Sequence, residues 1–223
     1  MIAPARRLAS ILLLGLAAAL PAHAQHPPHV MAVAEATSAT APAPVKVAQT
    51  GAVLRDLWIG HVFWVRNVVL ETFAGNTAAA AAAEDQVVAN AKQIAASIEP
   101  FYGKGASEKM LNLLVGHYTA VKQYLDATAA GNTAKQDAAT RALTENAGEI
   151  AVFLSGANPN LPRDAVRGLL LAHGGHHIQQ IQQLRDKQYA QEAQTWSAMK
   201  DHMYVIADTL TGALAKQFPA KFA

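Results

Sequence analysis

The chain contains no cysteine. That excludes disulfide scaffolds, CxxC redox proteins, cysteine zinc fingers and thiol nucleophiles. Charge is also scarce: 15% of the 223 residues are charged, with 18 basic against 16 acidic. No strong positive field is present to hold nucleic acid. Few β-branched runs and no alternating apolar–polar segments occur, which argues against a sheet. There is no GxSxG elbow, no Walker loop, no GxGxxG after a strand, and no ExxH pair of the kind found in di-iron bundles. What the chain does have is apolar content, 52%. That is too much for a disordered chain and enough for a sizeable core.

The N-terminus reads as an address. Arg6 and Arg7 are followed by an apolar run from Leu8 to Leu20, and Pro21-Ala22-His23-Ala24 supplies a small–x–small pattern. This is the form of a secretory signal peptide, residues 1–24, cut after Ala24. The apolar run is short of the ~20 residues of a comfortable membrane span, so no stable span is expected after cleavage. Removal of Arg6 and Arg7 leaves 16 basic and 16 acidic residues, a formally neutral mature chain. The expected location is the bacterial periplasm or outside the cell, where a cysteine-free chain suits the oxidising surroundings. Residues 25–50, rich in Ala, Pro, Thr and Val without helical or strand period and broken by Pro27, Pro28, Pro42 and Pro44, read as a flexible leader. The remainder, 51–223, reads as the folded domain.

A period of 56 residues runs through that domain. His61, His117 and His173 share one column, and Leu57, Leu113 and Leu169 another. Gly60, Gly116 and Ala172 align, as do Asn90, Asn146 and His202, Ile94, Ile150 and Ile206, and Ala95, Ala151 and Ala207. Gly75-Asn76-Thr77 matches Gly131-Asn132-Thr133. Each unit reads as two helices. In the first, Leu54, Leu57, Trp58, His61, Val65 and Val68 keep the spacing of an amphipathic helix. Gly75-Asn76 ends it, Thr77 caps the next helix, Pro100 stops that one, and 103–105 form a link. The expected fold is all-α: an up-and-down bundle of about six helices built from three 56-residue hairpins, with a four-helix core as an alternative.

The histidines fall at one height. His173 lies about 14 residues before the turn near Lys187 and His202 about 15 after it, so at ~1.5 Å per residue they sit level. The same spacing sets His61 beside Asn90 and His117 beside Asn146. Apolar neighbours one turn away turn these rings inward. A buried imidazole needs partners for both nitrogens, and a metal ion satisfies several imidazoles at once. In His173-Gly-Gly-His176-His177, positions i and i+4 project two rings to one side, while His176 points ~100° away from His177. The candidate ligands are His117, His173 and His177, with His61 and His202 in reserve. Glu149, Asn146 and Asn90 are candidates to support them from behind.

Leu169-Leu-Leu-Ala-His173-Gly-Gly-His176-His177-Ile-Gln-Gln-Ile181 resembles the HxxHH signature in the last helix of the DinB/YfiT family of metal-binding helical bundles. Leu113-Leu-Val-Gly-His117 is similar to that family's earlier histidine segment, and 63–70 to its opening helix. The resemblance implies three ligands, His117, His173 and His177, with water in the fourth position. Imidazole-rich sites suit Zn, Ni, Fe and Cu alike. The expected protein is therefore a periplasmic bundle holding a divalent transition metal. If an open position exists, metal-assisted hydrolase or transferase chemistry follows. Two alternatives stand beside it: a metal-free structural or interaction bundle, whose neutral Ala-rich surface packs on a partner or on itself as a homo-oligomer, and a periplasmic metal buffer.

Overall fold

A computed structural model describes residues 43–223; the expected signal peptide and most of the expected leader lie outside the described residues. Six long helices follow in order: α1 (Pro44–Phe73), α2 (Thr77–Tyr102), α3 (Lys104–Ala129), α4 (Thr133–Ala157), α5 (Arg163–Arg185) and α6 (Tyr189–Gln217). A 3₁₀ turn, Pro219–Phe222, closes the chain. Among the described residues there is no strand. Each helix packs on the next, α6 also packs on α1, and α5 touches both α1 and α3.

The helical region starts earlier than expected, which corrects the leader boundary. Residues 44–50 belong to α1, not to the leader. Pro44 begins this helix instead of breaking it, because proline in the first turn loses no intrahelical bond. The start is tied down from afar: Ala43 N–H donates to the carbonyl of Phe222 at 2.7 Å, and Val47 packs on the core.

One helix stop and one cap also differ from expectation. Pro100 lies inside the last turn of α2, which ends at Gly103 with φ +81°. The link to α3 is thus one residue, not 103–105. The caps of α2 and α4 are Asn76 and Asn132, whose side-chain oxygens accept from the N–H of Ala79 and Lys135 at 3.3 and 3.0 Å. Thr77 is already helical.

Three side-chain bonds fasten α2 to α1, α4 to α3, and α6 to α5 at the same height. Asn90 Nδ2 donates to Leu57 O at 3.0 Å, Asn146 Nδ2 to Leu113 O at 3.0 Å, and His202 Nε2 to Leu169 O at 2.8 Å. Each bond spans 33 residues. The short asparagine reaches its carbonyl only if the facing helix comes close. A Cβ built on Gly60 or Gly116 would sit 3.1 or 3.2 Å from the asparagine nitrogen. Histidine reaches further, and Ala172 stands in the matching place. In the sharp turns, Gly75 and Gly131 have φ +74° and +65°, and Lys187 adopts φ +56° with a side chain.

The core forms three clusters. One gathers Leu54, Trp58, Ile94, Met110, Met199, Met203 and Phe222. A second gathers Val65, Val87, Val121, Tyr124, Leu143 and Ile181. A third lies under the α4–α5 loop around Ile150, Leu161, Val166 and Leu170. The histidines sit where α1, α3 and α5 converge between these groups.

Candidate metal centre

The buried stripe of α1 carries Leu54, Trp58, His61, Val62 and Val65; that of α3 carries Met110, Leu114, His117 and Val121. On α5, His173 and His177 share the buried face with Leu170, Ile181 and Leu184. Apolar neighbours at three- and four-residue spacing therefore carry the histidines inward with them.

His61, His117, His173 and His177 bring one nitrogen each to within 4.8 Å of one another. Their exposures are 4, 3, 2 and 3%. Across the six pairs, ring centroids lie 4.5 to 6.2 Å apart. His173 Nε2 and His177 Nε2 are 3.2 Å apart. An ion ~2.05 Å from each would subtend about 103°, close to a tetrahedral angle.

The protonation pattern on α3 follows from its partner. Asn146 presents Oδ1 to His117 Nδ1 at 3.2 Å while its Nδ2 is spent on Leu113 O. An amide oxygen only accepts, so Nδ1 of His117 carries the proton and Nε2 keeps the lone pair. That Nε2 is buried and has no partner among the described residues, and neither has Nδ1 of His173.

Burial dominates the electrostatics. It pushes His61 down to about 3, with His117 adding to the effect. It pushes His117 down to about 4, with Asn146 opposing. His173 and His177 fall well below the usual imidazole range, first by burial and then through the neighbouring rings. All four are neutral at pH 7, the form that ligates metal. Among the described residues no carboxylate belongs to the cluster.

A narrow cavity of about 30 Å³ abuts the cluster, lined by Trp58, His61, His117, His173 and the aliphatic chains of Leu170 and Ile206 among others. It has room for about one water, but few polar groups to hold it.

The remaining sequence candidates fall elsewhere. His202 does not join the cluster: its Nε2 is committed to Leu169 O, and its ring lies 5.6 Å from that of His176, both half-buried. Glu149 is exposed and lines a surface groove with Lys109 of α3 and Arg163 of α5, outside the histidine group. Asn90 bonds the α1 backbone, and its Oδ1 is left unpartnered instead of orienting His61. His61, held in reserve in the sequence reading, is a full member of the group; its place in the 56-residue column was the available signal. Not foreseen at all is the pair of Arg66 and the buried Glu192, joined by two bonds of 2.6 and 2.7 Å, with Gln180 Nε2 donating to Glu192 at 3.0 Å. It ties α1 to α5 and α6.

Four neutral imidazoles around one point can hold a transition-metal ion, and no helix among the described residues is long and apolar enough to cross a membrane. The chain matches no protein-family profile, no curated protein and no solved structure.

Proposed function

We propose that this protein is an exported metal-binding bundle in which His61, His117, His173 and His177 hold one divalent transition-metal ion. The observation that carries the reading is the convergence of four buried imidazole nitrogens within 4.8 Å. Without an ion, unpaired nitrogens such as His117 Nε2 stay buried at a cost of ~1–3 kcal/mol each. A purely structural polar layer would have to carry that cost. Zn, Ni, Fe and Cu all suit four imidazoles.

A four-histidine shell favours holding the ion over the expected arrangement of three histidines and a water. A fifth ligand would have to be small, since the adjoining cavity admits about one water molecule. Metal storage or buffering is therefore the preferred role, ahead of metal-assisted hydrolysis.

The finer readings rest on sequence. The Arg6-Arg7 start, the apolar run and the Ala22–Ala24 site support export to the periplasm. The HxxHH segment supports a relationship to the DinB/YfiT bundles, with His61 as a ligand beyond that family's three. The bonds recurring at 33-residue span support three copies of one hairpin.

The test is elemental analysis of protein purified from periplasm without a metal-affinity tag. Near one equivalent of metal per chain supports the centre and names the ion. Absence of metal, with no thermal shift on adding Zn, Ni, Fe or Cu, overturns it.

A further inference from the structure

His176 and His202 belong to α5 and α6, and neither takes part in the four-histidine group. Their ring centroids are 5.6 Å apart with planes tilted 57°. That separation falls inside the 4.5–6.2 Å range of the buried cluster. Unlike the buried four, both residues are partly exposed.

His202 does a job that asparagine does elsewhere in the same fold. Asn90 and Asn146, at the matching positions 112 and 56 residues earlier, make the same bond to a backbone carbonyl 33 residues back. In those two pairs a glycine faces the asparagine, whereas Ala172 faces His202, and the longer histidine spans the wider gap. Besides that reach, histidine brings a second nitrogen. Because Nε2 donates to Leu169 O, Nδ1 carries the lone pair, and it makes no hydrogen bond among the described residues. Ala120 and Trp64 stand at the places matching His176. The α5–α6 pair thus carries two partly exposed imidazoles with centroids 5.6 Å apart, one of them on the helix that also carries His173 and His177.

We propose that His176 and His202 form an outer capture site that takes a divalent transition-metal ion from solvent and passes it to the buried centre. The inference rests on the reading that the four-histidine group binds metal. It supplies what a fully buried centre needs: a first pair of ligands on the accessible side. His176 is adjacent in sequence to His177, and Leu169, the partner of His202, lines the same cavity as His173. Two imidazoles hold an ion more weakly than four, so the ion moves inward.

The experiment follows loading of metal-free protein with Co(II) by stopped-flow visible absorption. The variant is His176→Gln with His202→Asn and Ala172→Gly, chosen because it reproduces the glycine–asparagine pairing that fastens the other two helix pairs. Circular dichroism reports folding. The expected result is a final spectrum and stoichiometry equal to wild type, reached at least tenfold more slowly. Loading at the wild-type rate overturns the capture site and leaves the centre intact. An altered final spectrum places these rings in the centre itself and also overturns the proposal. Failure of wild type to bind Co(II) at all removes the centre, and the capture site with it.

Discussion

His117 and Asn146 meet through Nδ1 and Oδ1 at 3.2 Å, and the other end of the same amide holds Leu113 O at 3.0 Å. One side chain of α4 therefore fixes both the spacing of α3 and the tautomer of a cluster histidine. Asn146→Ala leaves a buried N–H without an acceptor and removes a bond between helices. The expected cost is about 2–3 kcal/mol in chemical denaturation. Metal affinity should also fall about 10–100-fold, since the ring loses the group that orients it. Unchanged affinity in a folded variant would show that this contact serves packing alone.

His61→Ala and His173→Ala should each lower metal affinity by two orders of magnitude or more, whereas His176→Ala should leave equilibrium affinity within a few-fold of wild type. Calorimetric titration distinguishes these. Equal losses from all three would contradict the separation of inner and outer rings.

Acid should unfold the metal-free protein steeply. Burial lowers the cluster imidazoles in the folded state, to about 3 for His61 and about 4 for His117. The unfolded chain titrates near ~6.5, so below that pH it binds more protons than the folded one. Stability is full above pH ~6.5 and declines as pH falls towards 4. Four such groups give a slope approaching ~5 kcal/mol per pH unit. Urea midpoints measured from pH 7.5 to 5 should fall accordingly, and a flat profile would mean the rings are not buried neutral.

Lys187 holds the left-handed turn conformation at φ +56°, where the two matching turns use Gly75 and Gly131. A side chain in that region costs ~1–2 kcal/mol, partly offset by the greater freedom of glycine when unfolded. Lys187→Gly is expected to add about 1 kcal/mol, or roughly 2–4 °C in Tm. A lower Tm would mean the lysine makes a compensating contact.

Arg66→Leu strands the carboxylate of Glu192, whose side chain is 3% exposed and whose other hydrogen-bond partner among the described residues is Gln180. The loss should be about 3 kcal/mol, because a buried charge without its counter-ion is strongly unfavourable. The paired change Arg66→Leu with Glu192→Leu should recover most of it. If the single variant is as stable as wild type, solvent reaches that carboxylate.

Local chemistry made much of this legible. The three- and four-residue apolar spacing around His61, His117, His173 and His177 fixed which way each ring turns. Gly75-Asn76 and Gly131-Asn132 marked two turns, because positive φ and an N-cap are local demands. Pro44 and Pro100 misled for a related reason: proline is tolerated in a first turn, and can be carried in a last turn, so its presence alone does not fix a boundary. The extension of α1 back to Pro44 depends on Phe222, far along the chain.

By itself the sequence determined six helices, their inward faces and the common height of the histidines, because helical period and rise are properties of the local chain. Only the tertiary structure decided which histidines meet. His202 and His61 fall at the same height by helical rise, yet His61 rides on α1 into the junction with α3 and α5, while His202 on α6 ends at Leu169 O beside His176. The difference is which helix each one rides on and which neighbours that helix packs against, and packing joins residues whose proximity no local period records.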